Sequence, residues 1–312
     1  MKHMSGRSPQ EGENIVTKGS PSVYSLHSRT FSDHRYVYPV VSRRSGGVSL
    51  GINLNPDKIC NFDCVYCQVD RTVPSPVIDL SPDEKEEMIT RIASELRHLI
   101  RLYREGTLFD QPPLAQAPSH HRQLRDIALS GDGEPSTFPW IDEVIEAVIR
   151  VKSEEGLEGL PIVLITNGSG LDRAVTRRAL KRMEGSNGVI WAKLDAGTED
   201  YYRSVCRTGV PFDRILRNIL ETAKERPVII QSCFMRIEGE GPSRREIDAY
   251  AGRLDDILRE GGSVRLVQIY TIARHPAESF VTALTDAELE IIADIVRNKT
   301  GLTVEIYPAK PS

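Results

Sequence analysis

The segment Val48-Ser49-Leu50-Gly51-Ile52-Asn53-Leu54 runs through Asn55-Pro56-Asp57-Lys58-Ile59 into Cys60-Asn61-Phe62-Asp63-Cys64-Val65-Tyr66-Cys67. Its opening residues read as a strand, which delivers three cysteines in a C-x3-C-x2-C run to a loop at its end. The remaining cysteines, Cys206 and Cys233, lie far away in sequence. Three thiolates on one short loop can hold three corners of a cubane iron–sulfur cluster, whereas an ordinary electron-transfer cluster takes four. An iron without a protein ligand is useful only if something else binds it, as catalytic metal sites keep one position open. A zinc site completed by Cys206 or Cys233 is the competing reading. Zinc commonly draws C-x2-4-C pairs from two halves, and here one half has three thiols while the other lacks a pair.

Downstream of this loop the pattern alternates. Ser81-Pro82-Asp83-Glu84 supplies an N-cap serine, a first-turn proline and a capping-box glutamate for a helix over 82–104. Ile89, Ile92, Leu96, Leu99 and Tyr103 recur along it at helical spacing, and Gly106 is placed to end it. Residues 107–123, with Pro112, Pro113 and Pro118, read as a loop. Short apolar runs rich in β-branched residues follow at Ile127–Leu129, Ile162–Ile165, Val189–Leu194, Val228–Phe234 and Val264–Tyr270, the pattern of strands buried on both faces. Amphipathic stretches occupy 141–152, 171–183, 212–224, 243–260 and 286–299. The fourth opens with a Ser243–Glu246 capping box and the fifth with Thr285 and Glu288. Thr303–Tyr307 is a candidate terminal strand.

Six strands alternating with helices predict one parallel α/β sheet, with functional residues on loops at the carboxyl ends of the strands. Residues 1–22 are polar and aperiodic and read as a mobile extension. Residues 23–312 read as one domain, with the segments before 45 and after 275 as covers for its open side.

Composition narrows the function. The formal charge of −4 does not advertise a dedicated nucleic-acid binder, which gains most of its affinity from phosphate neutralisation. Arg29, Arg35, Arg43 and Arg44 form one local basic group. Arg173, Arg177, Arg178, Lys181 and Arg182 form another, which reads as a solvated helix face. No apolar run approaches the ~20 residues of a membrane span, no secretory signal opens the sequence, and an odd number of cysteines is no disulfide framework. These features together predict a cytoplasmic protein.

The cysteine loop resembles the signature of the radical S-adenosylmethionine (SAM) superfamily, C-x3-C-x-aromatic-C, with Tyr66 at the aromatic position. The resemblance implies a partial (β/α)6 TIM-like barrel and a [4Fe–4S] cluster held by Cys60, Cys64 and Cys67. In that family the fourth iron is chelated by the amino and carboxylate groups of SAM. One electron, here implied to come from an external flavodoxin or ferredoxin, cleaves SAM to methionine and a 5′-deoxyadenosyl radical. Ser130-Gly131-Asp132-Gly133-Glu134-Pro135 is similar to the Gly-Gly-Glu-type motif that binds the SAM amino group, with Asp132 in the first glycine position followed by Gly133 and Glu134.

The resemblance further assigns polar groups at later strand ends to the ribose and carboxylate of SAM. These are Asn167, Gln231, and Asp195 as ribose-hydroxyl acceptor. Asn167 reads equally well as a helix cap. Lys58, Lys193, Arg274 and His275 are candidates to face substrate, His120 and His121 read as exposed, and Cys206 and Cys233 read as small residues of the fold.

Longer strings, Gly51 to Gln68, Lys193 to Gly197 and Gln268 to Arg274, resemble a prokaryotic group of Fe–S oxidoreductases over residues 45–308. That group is similar to wyosine-forming enzymes, which convert N1-methylguanosine in tRNA to 4-demethylwyosine using pyruvate. The wyosine branch carries additional cysteines upstream of the triplet, and this chain has none before Cys60. The resemblance thus implies radical chemistry on an unidentified substrate, with tRNA as the alternative.

Overall fold

The computed structural model describes residue 29 and residues 31–72, 75, 80–112 and 114–309. The extension expected over 1–22 lies outside the described residues. In chain order the elements are β1 (Val37–Ser42), β2 (Gly47–Ile52), α1 (Pro82–Glu105), β3 (Leu124–Leu129), α2 (Ile141–Glu154), β4 (Ile162–Thr166), α3 (Ala174–Glu184) and β5 (Gly188–Lys193). There follow α4 (Glu199–Cys206), α5 (Phe212–Glu225), β6 (Val228–Cys233), β7 (Met235–Ile237), α6 (Arg244–Arg259), β8 (Val264–Tyr270), β9 (Val281–Ala283), α7 (Asp286–Thr300) and β10 (Val304–Tyr307).

Eight strands form one sheet in the order β1-β2-β3-β4-β5-β6-β8-β10, while β7 and β9 pair separately and antiparallel. The six expected strands are present and mutually parallel, β10 adds a seventh parallel strand, and β1 pairs antiparallel to β2. Pro39 inside β1 argues against a strand in sequence, yet it fits because β1 is an edge.

Strand alternation separates two faces. Leu50, Ile127, Leu129, Ile162, Leu164, Ile190, Ala192, Val228 and Ile230 belong to the large core shared with the helices. Their neighbours Ala128, Val163, Trp191 and Ile229 form a second, small cluster on the other side. That inner face continues with polar residues, Ser49, Asp126, Ser130, Lys193, Gln231 and Tyr270, all of which line a cavity. Polar side chains facing inward are tolerated because hydrogen bonds satisfy them, as when Gln231 Nε2 donates to Gln268 Oε1 at 2.7 Å.

Two contacts bridge the edges of the sheet, although the edge strands β1 and β10 do not pair. Arg43 in the β1–β2 turn donates to the Pro308 carbonyl, and the Tyr307 hydroxyl lies 3.4 Å from the Arg44 carbonyl oxygen. The entry into β1 is fixed by Glu95 of α1. Its buried carboxylate accepts from the backbone N–H groups of Arg35 (2.8 Å), Tyr36 (2.9 Å) and Val37 (2.9 Å).

Expected caps divide into two kinds. Thr285 and Glu288 form a complete capping box on α7. At Ser243 only half of the expected box exists, because Glu246 turns away from its own helix end and accepts from Gly197 N, Thr198 N and Thr198 Oγ1. The carboxylate bonds the donors of the β5–α4 loop instead of its own N-cap. Of the expected basic group, Arg177, Arg178, Lys181 and Arg182 lie on the exposed face of α3, where Arg178 pairs with Asp142 at 2.7 Å and Lys181 with Glu184 at 2.8 Å, whereas Arg173 precedes the helix and donates to the Thr137 carbonyl.

Candidate functional site

The loop after β2 carries Cys60, Cys64 and Cys67, all half-buried and free, and all three line the cavity at the carboxyl end of the sheet. Its backbone is docked on the end of α4, an element that sequence reading missed. Asp63 N donates to Cys206 O (3.2 Å), Val65 N to Val205 O (2.9 Å), and Thr208 Oγ1 to Asn61 O (2.8 Å). Ala277 N donates to Cys67 O at 2.7 Å from the other side. An irregular loop held at both ends keeps its thiols in place without a strand ladder.

Within the loop Phe62 N donates to Cys60 Sγ at 3.5 Å. Burial pushes the Cys60 thiol up to about 11. The Cys206 thiol donates to Cys64, which favours the Cys64 thiolate and raises Cys206.

The Ser130–Pro135 turn presses against this loop. A Cβ on Gly133 would sit 2.3 Å from the Ile59 carbonyl oxygen and 2.6 Å from Asn55 Cγ, so only glycine permits the approach. Asp132 accepts from Asn53 Nδ2 at 2.6 Å and pairs with Arg29. Glu134 is buried, and its carboxylate accepts from Ser136 N (2.9 Å), Thr166 Oγ1 (2.6 Å) and Asn167 N (2.6 Å). Burial pushes its carboxyl above the usual range against the pull of these donors. Glu134 thereby ties the end of β3 to the end of β4. Asn167 Nδ2 extends the tie to Asn61 Oδ1 of the cysteine loop at 3.1 Å.

Tyr66 reaches across to β5, where its hydroxyl donates to Asp195 Oδ2 at 2.6 Å. Asp195 Oδ1 accepts from Cys233 N at 2.8 Å and lies 3.1 Å from Lys193 Nζ. Burial, with the charge of Asp195, raises the Tyr66 phenol. Burial also draws the Lys193 ammonium down, but Asp195 and Tyr270 outweigh it and the net shift is upward. Lys193 is therefore a charged member of a buried network.

The cavity has a volume of about 290 Å³. Cys60, Cys64, Cys67, Tyr66, Asp132, Gly133, Glu134, Asn167 and Gln231 all line it, and Asp195 joins them through Tyr66. Lys193 and Arg274 also line it, whereas Lys58 turns out to the Asp70 carbonyl at 2.6 Å. Sequence reading placed Arg43 and Arg44 only in a basic group. Both line the cavity, Arg44 over Tyr270 and near Trp191 and Arg43 against the Pro308 carbonyl, a placement that depends on the β1–β2 hairpin and has no local signal. Among the described residues no group of His, Cys, Asp and Glu is arranged to hold a single metal ion.

Comparison with known proteins agrees with this architecture. A half-barrel of parallel strands with a thiol loop after its first parallel strand is an architecture of the radical SAM type. The sequence model of the radical SAM superfamily matches residues 54–251, and the chain belongs to that superfamily, whose cofactors are a [4Fe–4S] cluster and SAM. The chain is 25% identical over 259 residues to a Brachyspira hyodysenteriae protein named GTPase Obg, covering 81% of this chain and 32% of that protein. It is 26% identical over 256 residues to a UPF0026 protein of Helicobacter pylori, covering 80% and 70%. The chain thus spans about a third of the first relative's length. A structure of Streptococcus suis SuiB bound to SAM superposes with a TM-score of 0.49 at 12% identity, over 85% of this chain and 49% of that one. No helix among the described residues is long and apolar enough to cross a membrane.

Proposed function

We propose that this protein cleaves SAM reductively at a [4Fe–4S] cluster held by Cys60, Cys64 and Cys67, and turns the resulting radical on a substrate admitted to the same cavity. The observation that carries this reading is that three half-buried thiols and the Asp132-Gly133-Glu134 turn line one cavity with their loops in contact. The donor set suits a metal cluster: three free thiols on one short loop line one cavity, and thiolate sulfur is the ordinary iron–sulfur ligand. When bound and reduced, the cluster supplies the electron that breaks SAM into methionine and a 5′-deoxyadenosyl radical.

The chain's own residues position and shield. Gly133 brings bare backbone to the thiol loop, and Glu134 and Asn167 lock the ends of β3 and β4 beside it. The Asp132-Gly133-Glu134 turn lines the cavity for the SAM amino group, Asn167 and Gln231 offer polar groups for its carboxylate and ribose, and Tyr66 holds Asp195 in reach of them. The inward apolar floor of Ala128, Val163, Trp191 and Ile229 keeps water from entering from below. The electron comes from outside in this reading, from a flavodoxin or ferredoxin.

The test is anaerobic reconstitution with iron and sulfide, reduction, addition of SAM, and quantification of 5′-deoxyadenosine in wild type and Cys64→Ala. Wild type is expected to form it and to carry four irons with matching sulfide, and Cys64→Ala to form none. Equal formation in both, or one zinc per chain and no sulfide, overturns the proposal. Because of the resemblance to wyosine-forming enzymes, tRNA with pyruvate is the first substrate pair to offer.

A further inference from the structure

Arg44 reaches from the β1–β2 turn into the middle of the cavity. Its guanidinium carbon stands 4.7 Å from the Tyr270 ring centroid and 5.9 Å from that of Trp191. Stacking fixes the plane of the group without using its N–H donors. Its hydrogen bond to Gln231 Oε1 is long, 3.4 Å, and Gln231 is itself held by Gln268. Arg44 forms no ion pair among the described residues, since no carboxylate stands within 4.0 Å of it. A guanidinium carries five donors in a planar fork, so most of this one is left for a ligand.

The surroundings reinforce the charge. Arg43 and Arg274 line the same cavity, and burial, followed by Arg44, Arg43 and Arg29, brings the Arg274 guanidinium down to about 10. The acids nearby are already committed. Asp132 pairs with Arg29, Asp63 pairs with Arg71 at 2.9 Å, and Asp126 accepts from Ser49 while burial pushes it toward the neutral form. Arg29 and Arg71, both near the thiol loop, have carboxylate partners, and Arg274 donates to Gln68 Oε1 beside that loop at 3.3 Å. Arg44 lies on the wall formed by Tyr270 of β8.

We propose that this wall is an anion subsite, in which Arg44, flanked by Arg43 and Arg274, takes a carboxylate or phosphate group of the substrate. The idea rests on the radical SAM reading of the cavity, and it gives the substrate a chemical class. A planar guanidinium fork suits either oxyanion bidentately, and a cavity of about 290 Å³ admits the anionic end of a molecule.

Isothermal titration of the cluster-loaded, SAM-saturated full chain with acetate, and separately with inorganic phosphate, tests it and separates the two sources. Wild type is expected to bind at least one of them. Arg44→Gln should weaken that binding about tenfold or more, with SAM affinity unchanged. Arg44→Lys, which keeps the charge but loses fork and stacking, should fall between, and it carries the test should Arg44→Gln not fold. No anion binding by wild type, or equal binding by the variants, overturns the subsite. So does a parallel loss of SAM affinity, which would assign Arg44 to the SAM carboxylate. Wild type that forms 5′-deoxyadenosine but ignores both anions refutes the subsite alone. Wild type that binds an anion but forms none refutes the radical reading and leaves the subsite standing.

Discussion

The Tyr66 hydroxyl donates a 2.6 Å hydrogen bond to Asp195 Oδ2, joining the aromatic position of the cysteine loop to the end of β5. The bond is part-buried, with Asp195 itself buried, so the carboxylate depends on this donor for satisfaction. Tyr66→Phe removes the donor and leaves one carboxylate oxygen short of a partner. It is expected to lower unfolding free energy by about 1–3 kcal/mol, measured by denaturant titration. A loss indistinguishable from zero would show that Cys233 N and Lys193 suffice to hold Asp195.

Gly133→Ala addresses the close approach of two loops. The new Cβ would meet backbone, the Ile59 carbonyl oxygen at 2.3 Å, and backbone cannot swing aside as a side chain can. Overpacking of this kind costs about 1–3 kcal/mol, and the displacement falls on the residue preceding Cys60. Iron per chain after reconstitution should drop along with stability. A variant that takes up iron as fully as wild type would mean that the thiol loop tolerates the shift.

How the loop at Gly197 is held yields a third expectation. Glu246 of α6 accepts from Gly197 N, Thr198 N and Thr198 Oγ1, anchoring the stretch that carries Asp195. Glu246→Ala strands two backbone donors and a hydroxyl in a mostly buried position. A destabilisation of about 2–4 kcal/mol is expected, read as a lowered midpoint in thermal unfolding. Glu246→Gln, which keeps one acceptor oxygen, should recover part of it.

Much of this arrangement was legible in the sequence, for physical reasons that also mark where reading fails. The parallel strands announce themselves because burial on both sides demands short β-branched runs, and β2 through β6 with β8 fall where those runs stand. Cys60, Cys64, Cys67 and Gly133 are local motifs, and the structure places them together on one cavity. Helix α4 escaped notice: Glu199 to Cys206 is only eight residues long, too short for a periodic signal, yet it is the platform for the thiol loop.

Glu95 and Glu246 read as an ordinary polar helix residue and a capping-box member. Their partners lie 58 to 60 and 48 to 49 positions away, a distance no local pattern encodes. Arg44 is the clearest case. Its position beside Trp191 and Tyr270 requires the hairpin, the curl of the sheet and β8 all at once.

Asp126 gives the pH-dependent prediction. It is buried on the inner face of β3, accepts a hydrogen bond from Ser49 Oγ, and feels Ser45 and the Arg44 guanidinium. Burial is the largest influence and raises its carboxyl above the ordinary value of 3.8, with the serine bonds and Arg44 opposing. An acid whose folded-state value is raised holds its proton more tightly when folded than unfolded. Its favourable contribution is therefore complete below 3.8 and is lost as pH climbs through the raised value. Asp126→Asn removes the ionisable group while keeping an acceptor for Ser49. The variant should gain stability relative to wild type as pH rises from 4 toward neutrality, the gain levelling off once the wild-type carboxyl is fully ionised. Unfolding free energies of both proteins across that range decide it. A difference that stays flat with pH would show that Arg44 and the two serines already compensate the buried charge. A difference of the opposite sign would mean that the carboxylate is held as an anion at the foot of the cavity.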